Sequence, residues 1–437
     1  MNFLRLLLLL LLLPGSTSAL WAQETPTAIV GARILTAEGR DFDPGLLLFQ
    51  HGRLLFVGAP EDASLPAQTR VLAMPEAVLM PGLVDTHSHL GKPSGGDSSD
   101  PIQPGARVLD SLDIRDTGFR RALAGGLTTL NVMPGSGHLI SGQTVYLKPR
   151  SRESLQDCLL WREDGQAAGG LKMANGTNSQ KKPPFPGTRG KSAALVRQAM
   201  IRAKEYAENR RRAEAKGEAL PLRDLDLEAL SEALEGRRIV HHHTHRHDDI
   251  LTVMRLAQEF GFQVVLHHVS EAWKVAEELA AAQIPCSVIL VDSPGGKLEA
   301  SEIRFEAGAI LERAGVKVAF HSDDPITDCR LFLRMAAFAV RAGMTRKGAI
   351  QALTLHGAEM LDLDHRLGSL KAGKDADFIV LNGDPFSTYT QVQQTWIEGK
   401  KVFDRRREED RLYAEGGYGA GNPEVLHMCC FGEEERP

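Results

Sequence analysis

Alternating strands and helices in the middle of the chain limit the folds available to it. From about residue 83, apolar strands such as LVDTHSH, LTTLNVMP, RRIVHHHTH, FQVVLHHV and VKVAFHSD alternate with helical stretches such as DDILTVMRLAQEFG and SEAWKVAEELAAAQ. This alternation predicts an α/β fold with a parallel sheet. At this length it favours a (β/α)8 TIM-type barrel over residues 81–364. The alternative is a doubly wound open sheet, although no GxGxxG motif follows the first strand.

Strand-rich segments flank this core on both sides. TAIVGARILTAEG and GLLLFQHGRLLFVGAP precede it, and RLGSLKAGKDADFIVLNGD and TQVQQTWIEGKKVFDRR follow it. Short apolar runs separated by Gly, Pro and Asp predict β-strands. We expect residues 23–80 and 365–404 to pair into one composite β-sandwich beside the barrel. Residues 405–437 are polar and Gly-rich, which predicts a mobile tail.

The amino terminus has the layout of a secretory signal peptide. Arg5 precedes a run of leucines, and small residues follow up to Ala22. The apolar run is too short to span a bilayer stably, so an uncleaved anchor is only the alternative. We therefore expect residues 1–22 to be removed and the protein to be exported to a periplasm or to the extracellular space, with no stable membrane span left.

Composition excludes several classes of function. The 437 residues carry a formal net charge of −5, which gives no electrostatic argument for binding nucleic acid or an anionic membrane. Five cysteines in a chain of this length imply no disulfide framework. We expect a small molecule or a dipeptide as the partner, and the sequence is compatible with a homo-oligomer.

Two histidines follow the first strand of the core, in MPGLVDTHSHLG. His87 and His89 are two residues apart, so in a strand their side chains point to the same side, as does that of Asp85. Two imidazoles at the carboxyl end of a barrel strand form half of a metal site. We interpret both as metal ligands, the alternative being a pair of surface histidines.

The motif PGLVDTHSH resembles the opening motif of the amidohydrolase superfamily. The closing segment GSLKAGKDADFIVLNGDP resembles the return of such chains to their small β-sandwich. The resemblance covers about residues 27–404, and it is strongest to the branch of imidazolonepropionases and prolidase-type dipeptidases. It implies a metal-dependent hydrolase on a (β/α)8 barrel. It also implies further ligands: a Lys or Glu on strand four, one His each on strands five and six, and an Asp on strand eight.

The strand-eight aspartate implied by the resemblance is Asp323, in VKVAFHSDDP. It shares strand parity with Ala319 and His321, so we expect it to face inward. In the family this residue binds metal and takes a proton from water. Asp324 next to it is interpreted as a turn residue before Pro325.

The histidines implied for strands five and six lie about one βα unit apart. In FQVVLHHV, His268 stands at the motif's ligand position, and His267 is interpreted as a structural neighbour. In RRIVHHHTHRHDDI, the motif gives His243 as the ligand and places His245 nearer the barrel mouth, as a group close to the substrate. The choice between His243 and His245 as the ligand stays open.

The strand-four position decides the subclass. In AGGLKMANGTN it is Lys172, which in binuclear relatives is carboxylated by CO₂ and bridges two metals. The alternative is a solvent-facing lysine at a strand end. Deaminase-like relatives carry a glutamate three residues after the strand-five histidine, where this chain has Arg246. A deaminase would therefore lack its general acid.

The ligand set implies a mechanism. Imidazole and carboxylate ligands favour Zn²⁺, and one or two such ions would lower the pKa of water to about 7. Asp323 would accept the proton as the resulting hydroxide attacks an amide carbonyl, and would pass it to the leaving nitrogen. Candidates for binding the substrate, including a substrate carboxylate, are Arg189, Arg246, His245, His138 and Gln143. The loop at residues 175–191 is expected to build or cover the site, or else to be a disordered insertion.

Three functions are compatible with the sequence. The first is an exported amide hydrolase of dipeptidase or acyl-amino-acid type. The second is a mononuclear hydrolase of cyclic amides or amidines, like imidazolonepropionase. The third is a non-catalytic periplasmic metal-binding protein, against which Asp323 argues because a storage site needs no proton acceptor.

Overall fold

The computed structural model describes residues 24–91, 97, 99–290, 297–416 and 420. The signal peptide predicted for residues 1–22 and most of the tail after residue 416 lie outside the described residues.

Eighteen strands are found in the described part of the chain. In chain order they are β1 Thr27–Val30, β2 Arg33–Ile34, β3 Leu46–Gln50, β4 Arg53–Gly58, β5 Arg70–Ala73, β6 Val78–Pro81, β7 Leu83–Ser88, β8 Leu127–Val132, β9 Ile140–Gln143, β10 Val145–Leu147, β11 Leu171–Ala174, β12 Val240–Thr244, β13 Val264–His268, β14 Cys286–Val288, β15 Val318–Phe320, β16 Phe378–Leu381, β17 Val392–Ile397 and β18 Lys400–Asp404.

Ten α-helices are found in the same residues. They are α1 Gly118–Ala124, α2 Arg189–Lys216, α3 Leu225–Leu234, α4 His247–Phe260, α5 Ala276–Ala281, α6 Ala307–Ala314, α7 Phe332–Arg341, α8 Arg346–Leu353, α9 Leu355–Met360 and α10 Glu408–Glu415. Within the described ranges, none of these helices combines the length and the apolar character needed to cross a membrane.

Helix ends follow ordinary capping chemistry. The Thr188 hydroxyl accepts a hydrogen bond from the backbone N–H of Lys191 at the start of α2, at 3.2 Å. Two acidic residues, Asp248 and Asp249, lie in the first turn of α4, where they complement the helix dipole. Gly261 ends α4 with a φ of 77°, a left-handed conformation that favours glycine.

Parallel strands and the helices between them form the centre of the molecule. Strands β11, β12, β13, β14 and β15 are parallel and lie side by side in chain order, with β9 antiparallel at the β11 edge. A separate parallel pair, β7 and β8, carries β10 on its other edge. The α/β fold predicted from the strand–helix alternation is confirmed.

The two flanks of the chain contribute strands to one five-stranded sheet. Its order is β18-β17-β16-β6-β2, in which the N-terminal β6 pairs antiparallel with the C-terminal β16. A second sheet has the order β4-β3-β1-β5. The rings of Phe49, Phe378 and Trp396 pack together with centroid distances of 5.3–5.8 Å and join the two sheets through a shared apolar cluster.

Part of the predicted mobile tail is a packed helix. Residues 408–415 form α10, and Asp410 accepts a hydrogen bond from Arg120 of α1 at 3.1 Å. The Arg120 guanidinium also lies 4.1 Å from the ring centroid of Tyr413. The prediction was wrong for these residues because a polar composition does not show that Asp410 and Tyr413 meet one arginine of another helix.

A buried lysine links the parallel core to the flanking sheets. Lys148 directly follows β10 and is fully buried. Its Nζ lies 2.6 Å from Asp375 Oδ2, 2.7 Å from Asp377 Oδ2 and 3.3 Å from Glu398 Oε1, all in or beside the sheet of β16 and β17. Burial lowers the pKa of Lys148, but the three carboxylates raise it above its ordinary value, so the ammonium stays charged.

Replacing Lys148 by Met should destabilise the protein strongly. The substitution keeps the apolar stem but leaves the buried Asp377 carboxylate without a cation among the described residues, which costs about 3–5 kcal/mol in the free energy of unfolding. Asp375 and Glu398 keep arginine partners. Urea unfolding followed by circular dichroism measures this. The control is Lys371→Met, which breaks the exposed 2.6 Å pair with Glu38 and should cost about 0–1 kcal/mol. Equal effects of the two substitutions would contradict the linking role of Lys148.

Candidate metal centre

The six residues that the sequence predicts as metal ligands lie on the parallel strands or directly after them. They are His87, His89, Lys172, His243, His268 and Asp323, on or after β7, β11, β12, β13 and β15. The carboxyl ends of parallel strands meet at the same edge of a sheet, and ligand sites in such folds lie there.

His87, His89 and Asp323 direct donor atoms at one point. The Nε2 atoms of His87 and His89 are 3.2 Å apart, and Asp323 Oδ1 lies 3.3 Å and 3.0 Å from them. Ligand atoms that are each bound about 2.0–2.2 Å from a tetrahedral zinc ion are separated by roughly 3.3 Å. The spacing of these three atoms is therefore that of a metal-ligand set.

The tautomer of His89 supports a cation at this point. His89 Nδ1 is 2.8 Å from the carbonyl oxygen of Met133, so Nδ1 carries the N–H and donates it there. In a neutral ring the Nε2 lone pair then faces the Asp323 carboxylate. Two acceptor atoms facing each other at 3.0 Å need a proton or a metal ion between them.

Electrostatics keep these groups in their ligand forms. Burial lowers the pKa of His87 well below its ordinary value, and Lys172 lowers it further, so the ring is neutral. Burial raises the pKa of Asp323, but the contact with His89 and the neighbouring charges outweigh it, and the pKa is lowered overall. A neutral imidazole and an ionised carboxylate are the forms that bind metal.

Lys172 is fully buried beside His87, so the solvent-facing alternative does not hold. Its Nζ lies 3.2 Å from His87 Nε2 and 3.1 Å from the sulfur of Met133. Burial lowers the pKa of Lys172 to about 7, although Asp323 acts in the opposite direction. A large share of the amine is therefore neutral near pH 7.

A second group of three imidazoles adjoins the first. Ring nitrogens of His243, His245 and His268 lie within 4.8 Å of one another, and His268 also forms such a group with His87 and Asp323. The ring centroids of His243 and His268 are 4.2 Å apart. His268 thus joins the two groups. The geometry accommodates either His243 or His245 as its companion.

His268 and Asp323 occupy strained backbone conformations. Their φ angles are 70° and 51°, in the left-handed region that residues with a Cβ disfavour. Such strain, on the order of 1–3 kcal/mol per residue, is typical of functional sites. It brings His268 Nε2 to 4.0 Å from Asp323 Oδ2.

Sequence reasoning gave no role to a chain of buried polar groups beneath the cluster. His321 Nε2 lies 3.4 Å from His268 Nδ1, and His321 Nδ1 lies 2.8 Å from the hydroxyl of Ser287. Ser287 in turn lies 2.6 Å from the Thr86 hydroxyl of β7. These hydrogen bonds fix the orientation of the His268 ring. The sequence could have indicated a role for His321, because it lies two residues before Asp323 and residues two apart in a strand face the same side.

Asp85 joins the ends of two strands in the same region. It is fully buried and accepts hydrogen bonds from the backbone N–H groups of Ser322, at 3.0 Å, and His87, at 3.2 Å. Burial raises the pKa of Asp85 to about 7, although these hydrogen bonds act in the opposite direction.

Four of the predicted substrate-binding residues have their described hydrogen-bond partners outside the cluster. Within the described residues, no hydrogen bond or ring contact joins Arg189, Arg246, His138 or Gln143 to the histidines of the two groups. His138 Nε2 lies 2.8 Å from the Asp97 carbonyl, and Gln143 donates to the Pro104 carbonyl at 3.3 Å. Only His245 of the predicted set lies in the cluster.

The two arginines are neutralised by carboxylates of the protein. Arg189 Nε lies 2.8 Å from Asp249 Oδ2, and Arg189 Nη2 lies 3.3 Å from Glu299 Oε2. Arg246 pairs with Asp248 at 2.9 Å in a half-exposed position. These ion pairs leave less of each guanidinium charge for a substrate carboxylate, and the substrate role of the two arginines stays a prediction.

The loop at residues 175–191 reaches the cluster through Asn178. The Asn178 Oδ1 atom accepts a hydrogen bond from Lys297 Nζ at 2.7 Å, and that Nζ lies 3.2 Å from His245 Nε2. Lys297 is a residue that sequence reasoning did not identify, because no motif surrounds it.

A large cavity lies elsewhere and contains no ligand set. Its volume is about 960 Å³, and its walls include Ile239, Val264 and Pro285 at the starts of parallel strands, with Leu251 and Met254 of α4. The clustered ionisable groups lie at the opposite ends of these strands, so we assign the chemistry to the histidine cluster.

Comparison with known proteins identifies the family. A family model described as an amidohydrolase family matches residues 227–403. The solved structure of an amidohydrolase from Thermotoga maritima MSB8 superposes with a TM-score of 0.81 and 31% identity, over 87% of this chain and 100% of that one. The chain belongs to the amidohydrolase family.

Curated relatives match parts of the chain. The amidohydrolase tasK of Hapsidospora irregularis is 30% identical over 357 residues, which are 75% of this chain and 36% of tasK. An imidazolonepropionase of Pseudomonas entomophila is 36% identical over 110 residues, which are 24% of this chain and 27% of that protein. The chain thus spans about a third of the length of these relatives.

The residues present fit a divalent metal ion. Amidohydrolases bind such ions, and the structure holds His and Asp groups able to do so. His268 Nε2 is buried and has no hydrogen-bond partner among the described residues. Such an orphaned lone pair beside a carboxylate is what a metal ligand presents before the metal binds.

Replacing His87 and His89 together by Ala should remove bound metal. Two of the three donor atoms that converge at Asp323 are then lost, and the remaining carboxylate holds an ion poorly. Elemental analysis by mass spectrometry gives the metal content per chain. His365→Ala changes an exposed histidine and should leave the content unchanged. Wild-type content in the double variant would place the metal elsewhere, for instance in the run from His241 to His247.

Proposed function

We propose that the protein is a metal-dependent hydrolase that cleaves a carbon–nitrogen bond of amide type. The observation that carries this proposal is the contact of the Asp323 carboxylate with the Nε2 atoms of both His87 and His89. A lowered pKa keeps Asp323 ionised and able to accept a proton. A storage site would need the imidazoles but no such acceptor.

The proposed mechanism assigns a task to each group. His87, His89, His268 and Asp323, with His243 or His245, would hold the metal, which when bound activates water and polarises a carbonyl. Asp323 accepts the proton of the attacking water and delivers it to the leaving nitrogen. The hydrogen bond from His89 to the Met133 carbonyl holds that ring in its ligand tautomer.

We also propose that the parallel strands close into a (β/α)8 barrel, with β7 beside β15. The backbone N–H of Asp323 donates to the His87 carbonyl at 2.9 Å, and that of His89 donates to the Asp324 carbonyl at 3.3 Å. These hydrogen bonds connect the end of the first parallel strand to the end of the last. They support closure at the edge where the ligands lie.

We propose that the site would hold two Zn²⁺ ions, with a carboxylated Lys172 among the residues that hold them. The support is the buried Nζ at 3.2 Å from His87 Nε2 and a pKa lowered to about 7, because CO₂ reacts with the neutral amine. Dipeptides and acylated amino acids are then the proposed substrates.

A mononuclear cyclic amide hydrolase is the second candidate. The observation that favours it is the 36% identity to an imidazolonepropionase over 110 residues.

Export to a periplasm or the extracellular space is also proposed, from the amino-terminal sequence pattern alone.

Replacing Asp323 by Asn should abolish most hydrolysis. Losing the proton acceptor lowers kcat by about 10²–10⁴-fold. The assay is ninhydrin detection of released amines from a panel of dipeptides and N-acylated amino acids. Asp362→Asn, at an exposed site, is the matched control. Wild-type activity in Asp323→Asn would exclude the proposed mechanism. A wild-type protein that holds metal but hydrolyses nothing would favour the non-catalytic alternative.

Replacing Lys172 by Met separates the one-metal and two-metal enzymes. The bridging hypothesis predicts loss of one of two metals and of activity, because Met offers no carboxylate. Lys172→Glu should restore part of the metal content by supplying one. Elemental analysis and the same substrate panel measure both. Unchanged metal content in Lys172→Met would favour the cyclic amide alternative.

A further inference from the structure

Lys297 places an ammonium group beside the histidine cluster. Its Nζ donates to Asn178 Oδ1 at 2.7 Å and lies 3.2 Å from His245 Nε2 and 3.4 Å from His243 Nε2. Lys297 caps a short 3₁₀ turn at residues 298–300, after β14. All three neighbouring atoms are acceptors that carry no negative charge.

Glu299 and Asp323 attract this ammonium at longer range, but neither forms an ion pair with it. Among the described residues, no ion pair joins Lys297 to an acidic side chain. The nearby Glu299 is engaged by Arg189 at 3.3 Å and by the backbone N–H of Thr177 at 2.9 Å. Asp323 is engaged by His87 and His89. A half-buried cation whose described hydrogen-bond partners are all uncharged favours binding of an anion.

We propose that Lys297, with Asn178, binds a carboxylate of the substrate beside the scissile amide. This role of Lys297 rests on the proposed hydrolase function. It predicts that N-acylated amino acids and dipeptides with a free carboxylate are preferred over their carboxamides. The ammonium makes a charge-assisted hydrogen bond, and the Asn178 amide group adds N–H donors. Asn178 holds Lys297 through Oδ1, which leaves those donors free to turn toward the anion.

The position of Lys297 suits a substrate that spans the cluster. His243 contacts His268 with ring centroids 4.2 Å apart, and His268 Nε2 lies 4.0 Å from Asp323 Oδ2. Two imidazoles therefore separate the ammonium from the proton acceptor. An acylated amino acid could place its carboxylate at Lys297 while its amide lies near Asp323.

The experiment compares matched substrates in the metal-loaded, full-length protein. A panel of N-acetyl-L-amino acids with apolar, aromatic, acidic and basic side chains is assayed beside the corresponding carboxamides. The proposal predicts that the wild-type protein prefers the acids in kcat/KM. Lys297→Met should reduce this preference about 10- to 100-fold, mainly through KM, which corresponds to one charge-assisted hydrogen bond. Lys297→Arg should retain part of it.

Matched controls separate local from general effects. Lys182→Met changes an exposed lysine of the neighbouring loop and should keep the wild-type preference. Metal content and melting temperature are measured for every variant. Should Lys297→Met fail to fold, Asn178→Leu replaces it and should lower the same preference.

Calorimetric binding of the same compounds distinguishes this proposal from the hydrolase itself. Hydrolysis without preference for acids, or a preference unchanged in Lys297→Met, overturns the role of Lys297 and leaves the hydrolase standing. Tighter binding of acids that is lost in Lys297→Met, without any hydrolysis, supports Lys297 and overturns the hydrolase for these amides. Neither hydrolysis nor preferential binding of acids overturns both.

Discussion

The contact between the first and last strands of the parallel core is the constraint on which the site depends. Asp323 after β15 shares a backbone hydrogen bond with His87 at 2.9 Å, and its carboxylate lies 3.0 Å from His89 Nε2. These strands are more than two hundred residues apart in sequence, so the ligand set exists only when the core is complete.

Burial explains why so many histidine side chains can cluster without electrostatic repulsion. Burial and neighbouring positive charge lower the pKa values of His87, His243, His267 and His268 well below the ordinary value, so the rings remain neutral. Neutral rings do not repel one another, and each keeps a lone pair. The same burial lowers the pKa of Lys172. Burial at the ends of these strands thus favours the neutral forms of the histidine and lysine side chains, which can act as ligands and need no counter-ions.

The sequence predicts features governed by local rules. The two-residue period of a strand places His87 with His89, and the family motif adds His268 and Asp323, which the structure brings to one cluster. It does not predict features set by distant partners. The sequence does not show that Arg189 has a partner, but in the fold its guanidinium pairs with Asp249, which lies sixty residues away. The α10 helix depends in the same way on Arg120, which lies far from it in sequence.

Whether a cationic side chain can bind a substrate carboxylate therefore depends less on its residue type than on whether a carboxylate of the protein already neutralises it. An arginine suits a carboxylate better than a lysine does in geometry, but a guanidinium already paired with a carboxylate has little attraction left to offer. Arg189 and Arg246 are paired with carboxylates, whereas the hydrogen bonds of Lys297 within the described ranges go to Asn178 and to imidazoles, which are uncharged. On the proposal made for Lys297, this lysine is the better anion binder of the three, although a guanidinium has the more suitable geometry. Because the charge of Lys297 lies at the edge of the histidine cluster, a carboxylate bound there would also orient the adjoining amide toward Asp323.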